Sequence, residues 1–147
     1  MKKYITLKNC DIVFLALLAV YFLWSMRPQK INTIIKQWNE VTRIQVIDMY
    51  GDVTSDRVLT DEESAQFRTI MESATFRSRF YANHTMYGRL YGVYLYKDGK
   101  MHMDESLDMR IFPSDEGYIY IGNTYRYHYD KHDQLWAFME SLDLKTE

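Results

Sequence analysis

The spacing of apolar positions changes character along this chain, and each change predicts a different element. From Ile12 to Met26 the run Ile-Val-Phe-Leu-Ala-Leu-Leu-Ala-Val-Tyr-Phe-Leu-Trp-Ser-Met leaves no polar face. A helix that is apolar all round belongs in lipid or deep inside a core. Over residues 28–40, Ile31, Ile34, Ile35 and Trp38 share one face at helical spacing, which predicts an amphipathic linker helix. That helix either packs on the following domain or lies at a membrane surface.

Residues 41–50 read as a strand with Ile44 and Val46 on one side. Gly51-Asp52 turns it, and Arg57-Val58-Leu59 is expected to pair back. Thr60-Asp-Glu-Glu63 then forms a capping box, in which the Thr60 hydroxyl and the Glu63 carboxylate take up the first free amides of a helix. The helix runs from Asp61 to about Thr75 and presents Phe67, Ile70, Met71 and Ala74 as its core stripe. Its acidic start is structural, since negative charge favours the positive end of a helix.

From Met86 the apolar period becomes two. Residues 89–97 and 100–112 flank Asp98-Gly99, a strong hairpin signal. Residues 118–121 and 124–129 flank Gly122-Asn123, and 113–117 links the two hairpins. A last helix over 131–142 carries Leu135, Phe138, Met139 and Leu142, with Asp130 as its expected cap. The order is one or two strands, helix, four-strand meander, helix. That predicts an α+β fold, an antiparallel sheet with two helices packed on one face.

Turn chemistry fixes register, so the faces follow. Across Asp98-Gly99, Tyr96 is set opposite Met101 and Tyr94 opposite Met103. Met101, Met103, Leu107, Met109 and Ile111 face the helices, with His102, Asp104, Ser106, Asp108 and Arg110 on the other side of their strand. A five-residue 113–117 loop pairs Ile111 with Ile119 and Met109 with Ile121. A two-residue Gly122-Asn123 turn sets Tyr120 opposite Tyr125 and Tyr118 opposite Tyr127. All four tyrosines then lie beside Arg110 and Phe112 on the face away from the helices, as an aromatic ladder. The same register aims Arg126 and His128 at the core side, which only an edge strand tolerates. A one-residue slip in the 113–117 loop would bury the tyrosines instead.

The apolar run adds a location. Its nine strongly apolar residues each favour insertion by roughly 0.3–0.6 kcal/mol, about −4 kcal/mol together. Its fifteen residues rise only about 22 Å against a hydrocarbon core of about 30 Å. Tyr4, Ile5 and Leu7 extend it, Lys8 snorkels, Tyr21 and Trp24 suit the far interface, and Pro28 discourages continuation. The division expected is a tail over 1–11, a transmembrane signal anchor over 12–26, a linker helix over 27–40 and a domain over 41–147. A cleaved secretory signal competes, but Leu23-Trp24-Ser25-Met26-Arg27 is a poor cleavage site. A buried soluble helix is the third reading. Lys2, Lys3 and Lys8 nearly balance Arg27, Lys30 and Lys36, so the short leading tail tips the expected orientation to N-terminus inside and domain outside.

Charge and cysteine content exclude several classes. Residues 27–147 carry 15 basic and 19 acidic side chains, which gives no grip on nucleic acid. Cys10 is the one cysteine, so there is no disulfide framework and no cysteine-based zinc site. No phosphate-binding glycine loop, serine elbow or zinc-helix motif occurs. His128 and His132 are four residues apart but straddle a strand-to-helix junction, where helical spacing does not apply. His102 and Asp104 share a strand face but lack a nucleophile. Phe76-Arg-Ser-Arg-Phe80-Tyr81 reads as a solvated loop, and Asn83-His-Thr85 matches a glycosylation acceptor.

Thr60-Asp-Glu-Glu63 before a helix, Tyr94-Leu-Tyr-Lys-Asp-Gly-Lys100, and Gly117-Tyr-Ile-Tyr-Ile121 followed by Tyr125 resemble small uncharacterised extracytoplasmic domains of Gram-positive bacteria, tethered by a signal anchor or a lipid. The likeness covers residues 42–142; the lipid-attachment cysteine of many such proteins is missing. It implies location and architecture and carries over no catalytic residue.

The expectation is a single-pass, membrane-anchored binding domain without catalysis, cofactor, metal or nucleic-acid partner. It meets the bilayer through residues 12–26. It takes a protein, peptide or envelope ligand through Arg110, Phe112, Tyr118, Tyr120, Tyr125 and Tyr127. Two other classes stay open: a small metal-dependent or acid/base hydrolase using His102, Asp104, His128 and His132, and a cytoplasm-facing regulatory domain tethered to the membrane.

Overall fold

A 24-residue helix, α1 (Lys2–Ser25), takes in both the leading tail and the apolar run. The structure, a computed structural model, describes residues 2–49, 55–78, 88–97, 110–122, 125–142 and 144. In α1 the side chains of Ile12, Val13, Phe14 and Leu15 are all exposed, and four consecutive residues go right round a helix. Leu17, Val20, Tyr21, Phe22, Leu23 and Trp24 are exposed as well. Among the described residues, however, no helix is long and apolar enough to cross a membrane. The apolar side chains from Ile12 to Trp24 rise only about 20 Å, well short of a hydrocarbon core of about 30 Å. By this measure α1 does not reach the length of a membrane span.

The predicted linker helix breaks into two short pieces, α2 (Ile31–Ile34) and a 3-10 turn at Trp38–Glu40. No side chain caps α2, because Lys30 at its N-cap has only donors and cannot accept from the first amides. The Lys30 ammonium donates to the carbonyls of Ser73 (2.9 Å) and Ala74 (3.0 Å) at the end of α3 (Asp61–Ser73). That helix has no basic residue in its own last turn, so Lys30 supplies the cation its negative end favours. Ile31, Ile35 and Trp38 are buried, and the Trp38 indole donates to Glu72 of α3 at 2.9 Å. The linker is part of the domain.

Among the described residues, seven strands form one antiparallel sheet: β1 (Val41–Asp48), β2 (Ser55–Val58), β3 (Phe76–Ser78), β4 (Tyr91–Lys97), β5 (Arg110–Pro113), β6 (Tyr118–Ile121) and β7 (Tyr125–Tyr129). Their order is β2-β1-β4-β5-β6-β7-β3. The α+β class, the pairing of β2 with β1 and the β4-to-β7 meander are as expected. The addition is β3, read from sequence as loop. It pairs with β7, and its Phe76 is fully buried, stacked on Tyr129 at 5.9 Å. Three residues with one apolar position offer no period to detect. On its other edge, Phe76 exchanges both backbone hydrogen bonds with Gln29, at 2.8 and 2.9 Å. Ser78 donates its hydroxyl to the Ser25 carbonyl at 2.8 Å, which ties the sheet to the end of α1.

The helices cover one face. The core holds Ile44, Val46, Tyr91, Val93, Leu95, Ile111, Ile119, Ile121, Tyr127 and Tyr129 from the sheet. Phe67 of α3 lies 6.2 Å from both Trp38 and Phe138, the latter in α4 (His132–Ser141). The capping box forms as predicted: the Glu63 amide donates to Thr60 Oγ1 at 3.3 Å, and the Thr60 amide to Glu63 Oε2 at 2.8 Å. Arg57 also pairs with Glu63, and this pairing, ahead of the Thr60 amide, holds the Glu63 carboxyl below its ordinary range. Asp130 does not cap α4. Its carboxylate accepts the Thr75 amide at 2.8 Å, and Lys131 occupies the N-cap without a side-chain bond.

Candidate functional site

Alternation along paired strands puts a second set of side chains on the face away from the helices. Tyr94 and Tyr96 come from β4, Arg110 and Phe112 from β5, Tyr118 and Tyr120 from β6, and Arg126 and His128 from β7. Arg43, Gln45 and Ile47 of β1 and Arg77 of β3 extend the set to either side. Four of the six residues expected at the site, Arg110, Phe112, Tyr118 and Tyr120, are therefore together.

The other two are not. Tyr120 pairs with Arg126, Tyr118 with His128, Ile119 with Tyr127 and Ile121 with Tyr125, so three residues separate β6 from β7 where two were expected. Gly122, at φ +65°, takes the left-handed position of that turn. Tyr127 thus lies in the core beneath the helices, 6.4 Å from Phe76, and Tyr125 pairs opposite Ile121. The reason is a burial cost. The two-residue turn would have driven Arg126 inward, and an unpaired buried guanidinium costs far more than an exposed tyrosine. The β5–β6 hairpin is also tighter than expected. Ile111 pairs with Ile121 and Pro113 with Ile119, and Gly117 at φ +82° lets the chain turn over residues 115–117. That shift is an even number of residues, so it preserves the faces.

The expected open tyrosine ladder is corrected in a second way. Phe112 and Tyr120 are each only 5% exposed, while Arg110 and Tyr118 are half-buried. What lies at the surface is a band of cations over rings. The Arg126 guanidinium sits 4.4 Å from the Tyr118 ring centre, and Arg43 sits 4.1 Å from that of Tyr96. Tyr118 and His128 are 4.3 Å apart, and Tyr94 meets Phe112 edge-on at 6.3 Å. Such cation–ring contacts contribute about 0.5–1 kcal/mol each where exposed and hold the guanidinium plane in place. Arginines of a formally acidic domain are gathered here: among the described residues this face carries Arg43, Arg77, Arg110, Arg126 and His128 against Asp56 at its β2 edge. Sequence reasoning passed over Arg43, and its expected Asp98-Gly99 register set Tyr94 and Tyr96 on the helix side. Val93 pairs with Ile111 and Tyr94 with Arg110, so Val93 and Leu95 take the core instead, an alternation that was itself the signal.

Two features mark the surface near the band. A cavity of about 280 Å³ is lined by Ile47, Met49, Asp56 and Tyr94. Gly92 makes room for it, since a Cβ there would stand 3.0 Å from Tyr94 Cε2 and 3.2 Å from Met49 Sδ. Tyr96 donates to Gln45 and Gln45 to Asp56, a polar chain along its rim. Further along, the Tyr120 hydroxyl and Arg126 Nε are buried without a protein partner. Each such group costs about 1–3 kcal/mol.

The alternative catalytic set does not assemble. His128 stands on this face beside Tyr118, whereas His132 is on the helix side, its Nε2 3.1 Å from the Ser114 carbonyl and its Nδ1 3.0 Å from Asp133. His102 and Asp104 lie outside the described residues, as do the Asp98-Gly99 turn, Met101 to Met109, Phe80-Tyr81 and Asn83-His-Thr85. Among the described residues no three His, Cys, Asp or Glu side chains could hold a metal together. On the helix side, burial pushes the unpartnered Tyr129 hydroxyl well above the usual tyrosine range. Comparison with protein families, curated proteins and solved structures finds no match to this chain.

Proposed function

We propose that this protein is a membrane-tethered binding domain without catalysis, and that its helix-free sheet face takes an acidic segment of a partner protein. The observation that carries the reading is the placement of Arg43, Arg77, Arg110, Arg126 and His128 on one face of an acidic domain, with Arg43, Arg126 and His128 against aromatic rings. Charge of one sign beside rigid aromatic bodies suits an extended acidic chain, with cations taking carboxylates and rings covering the intervening apolar atoms. Tethering rests on α1, where Ile12, Val13, Phe14, Leu15, Leu17, Val20 and Leu23 stand exposed around the helix. Lipid is the solvent that suits such a helix, with local thinning of the bilayer and snorkelling flanks making up its length. The short leading tail favours an inner N-terminus, which on this reading sets the domain outside the cell.

Two measurements test this. In cell fractionation the full-length protein should remain with membranes through alkaline carbonate washing; recovery from the aqueous fraction without detergent would remove the tether. Protease added to intact cells should digest the domain; protection would place it on the cytoplasmic side. For binding, a surface displaying oligoglutamate should capture the full-length protein in detergent, and Arg43→Glu with Arg110→Glu should abolish capture. Unchanged capture by the double variant would overturn the binding face.

A further inference from the structure

Within this proposed binding face, and resting on that reading, we infer that Tyr120 and Arg126 form a carboxylate seat, the point where one acidic side chain of the ligand is held. The two residues are direct cross-strand partners on β6 and β7. The Tyr120 hydroxyl and Arg126 Nε are both buried, and neither has a protein hydrogen-bond partner. Tyr120 is 5% exposed, so its hydroxyl is held in place by its surroundings.

The chemistry of the pair selects the ligand. Arg126 Nε–H can only donate, and the Tyr120 hydroxyl can donate beside it. Two donors on cross-strand partners, one of them on a permanent cation, call for an acceptor with negative charge and two oxygens, which a carboxylate supplies. An apolar occupant would leave both atoms without partners, and a cationic one would be repelled. The seat is also built in advance. Arg126 lies over the Tyr118 ring at 4.4 Å, which fixes the guanidinium plane, and Arg110 on the next strand but one adds to the positive field.

The test follows the Arg126 Nε–H signal in nitrogen–proton correlation spectra of the full-length protein in detergent micelles. Arg126→Lys assigns it by its disappearance. Titration with a blocked tetraglutamate peptide should move that signal saturably. Tyr120→Phe should weaken the response about tenfold, the scale of one lost hydrogen bond to a charged group. Thr69→Ala, an exposed position of α3 on the opposite side of the sheet, should leave the response within about twofold. A signal that does not move would show the pair to be satisfied by water only and would overturn the seat. Movement with inorganic phosphate but not with the peptide would overturn its assignment to carboxylate. If oligoglutamate capture survives while the Arg126 signal stays still, the binding face stands and the seat falls; if both are lost, both fall.

Discussion

The two faces of the sheet are built from the same strands and both are rich in tyrosine, yet they solve different problems. Beneath the helices, rings pack on rings and aliphatics: Phe76 on Tyr129, Tyr91 on Trp136 at 5.1 Å, and Phe67 between Trp38 and Phe138. On the far face rings pack under cations, Tyr118 under Arg126 and Tyr96 under Arg43. The first arrangement removes apolar area from water and holds the fold together. The second leaves charge at the surface, and each face leaves a buried tyrosine hydroxyl without a partner, Tyr129 beneath the helices and Tyr120 opposite. One residue of register decides which tyrosine serves which purpose.

Substitutions at matched depth test the contrast. The largest effect belongs to the helix side. Phe67→Ala should cost about 3–5 kcal/mol in urea unfolding, because a fully buried ring touching two others cannot be replaced by local collapse. Thr60→Ala should cost about 1 kcal/mol by opening the capping box. Glu63 gives this region a pH signature: its carboxyl is held low, so its contribution is present above the ordinary glutamate range and is lost as pH falls through the folded value. Glu63→Gln should flatten the acid limb of the stability profile, and an unchanged limb would remove that role. On the far face, Arg43→Ala should cost less than about 1 kcal/mol. Smallest, and opposite in sign, is Tyr120→Phe. Deleting an unpartnered buried hydroxyl should leave stability unchanged or raise it by up to about 1 kcal/mol. A loss as large as that of Phe67→Ala would erase the distinction between the faces.

How far this was legible from sequence depends on whether the signal was local. Thr60 and Glu63 cap a helix within four residues, so the box and the stripe Phe67, Ile70 and Met71 could be read directly. The meander was legible because each strand pairs with its neighbour in the chain. The β6–β7 register was not, because Gly122-Asn123 favours a short turn while the fate of Arg126, decided by the whole sheet, favours a longer one. Asp130 looked like a cap and instead holds the Thr75 amide, a partner 55 residues away. Lys30, apparently a flanking charge, closes the end of α3 by contacts 43 and 44 residues away. The candidate site was half visible: Arg110, Phe112, Tyr118 and Tyr120 came from alternation alone, while the arginine partners needed the register.

The backbone pair between Gln29 and Phe76 follows the last residue of α1 by only Met26, Arg27 and Pro28. A leash this short has no slack. The domain has no swivel radius of its own, and a tilt of the N-terminal rod passes directly into the outermost strand and, through Lys30, into the far end of a second helix. On the binding reading proposed above, a ligand would be held within one molecular diameter of the rod, in an orientation the rod itself dictates.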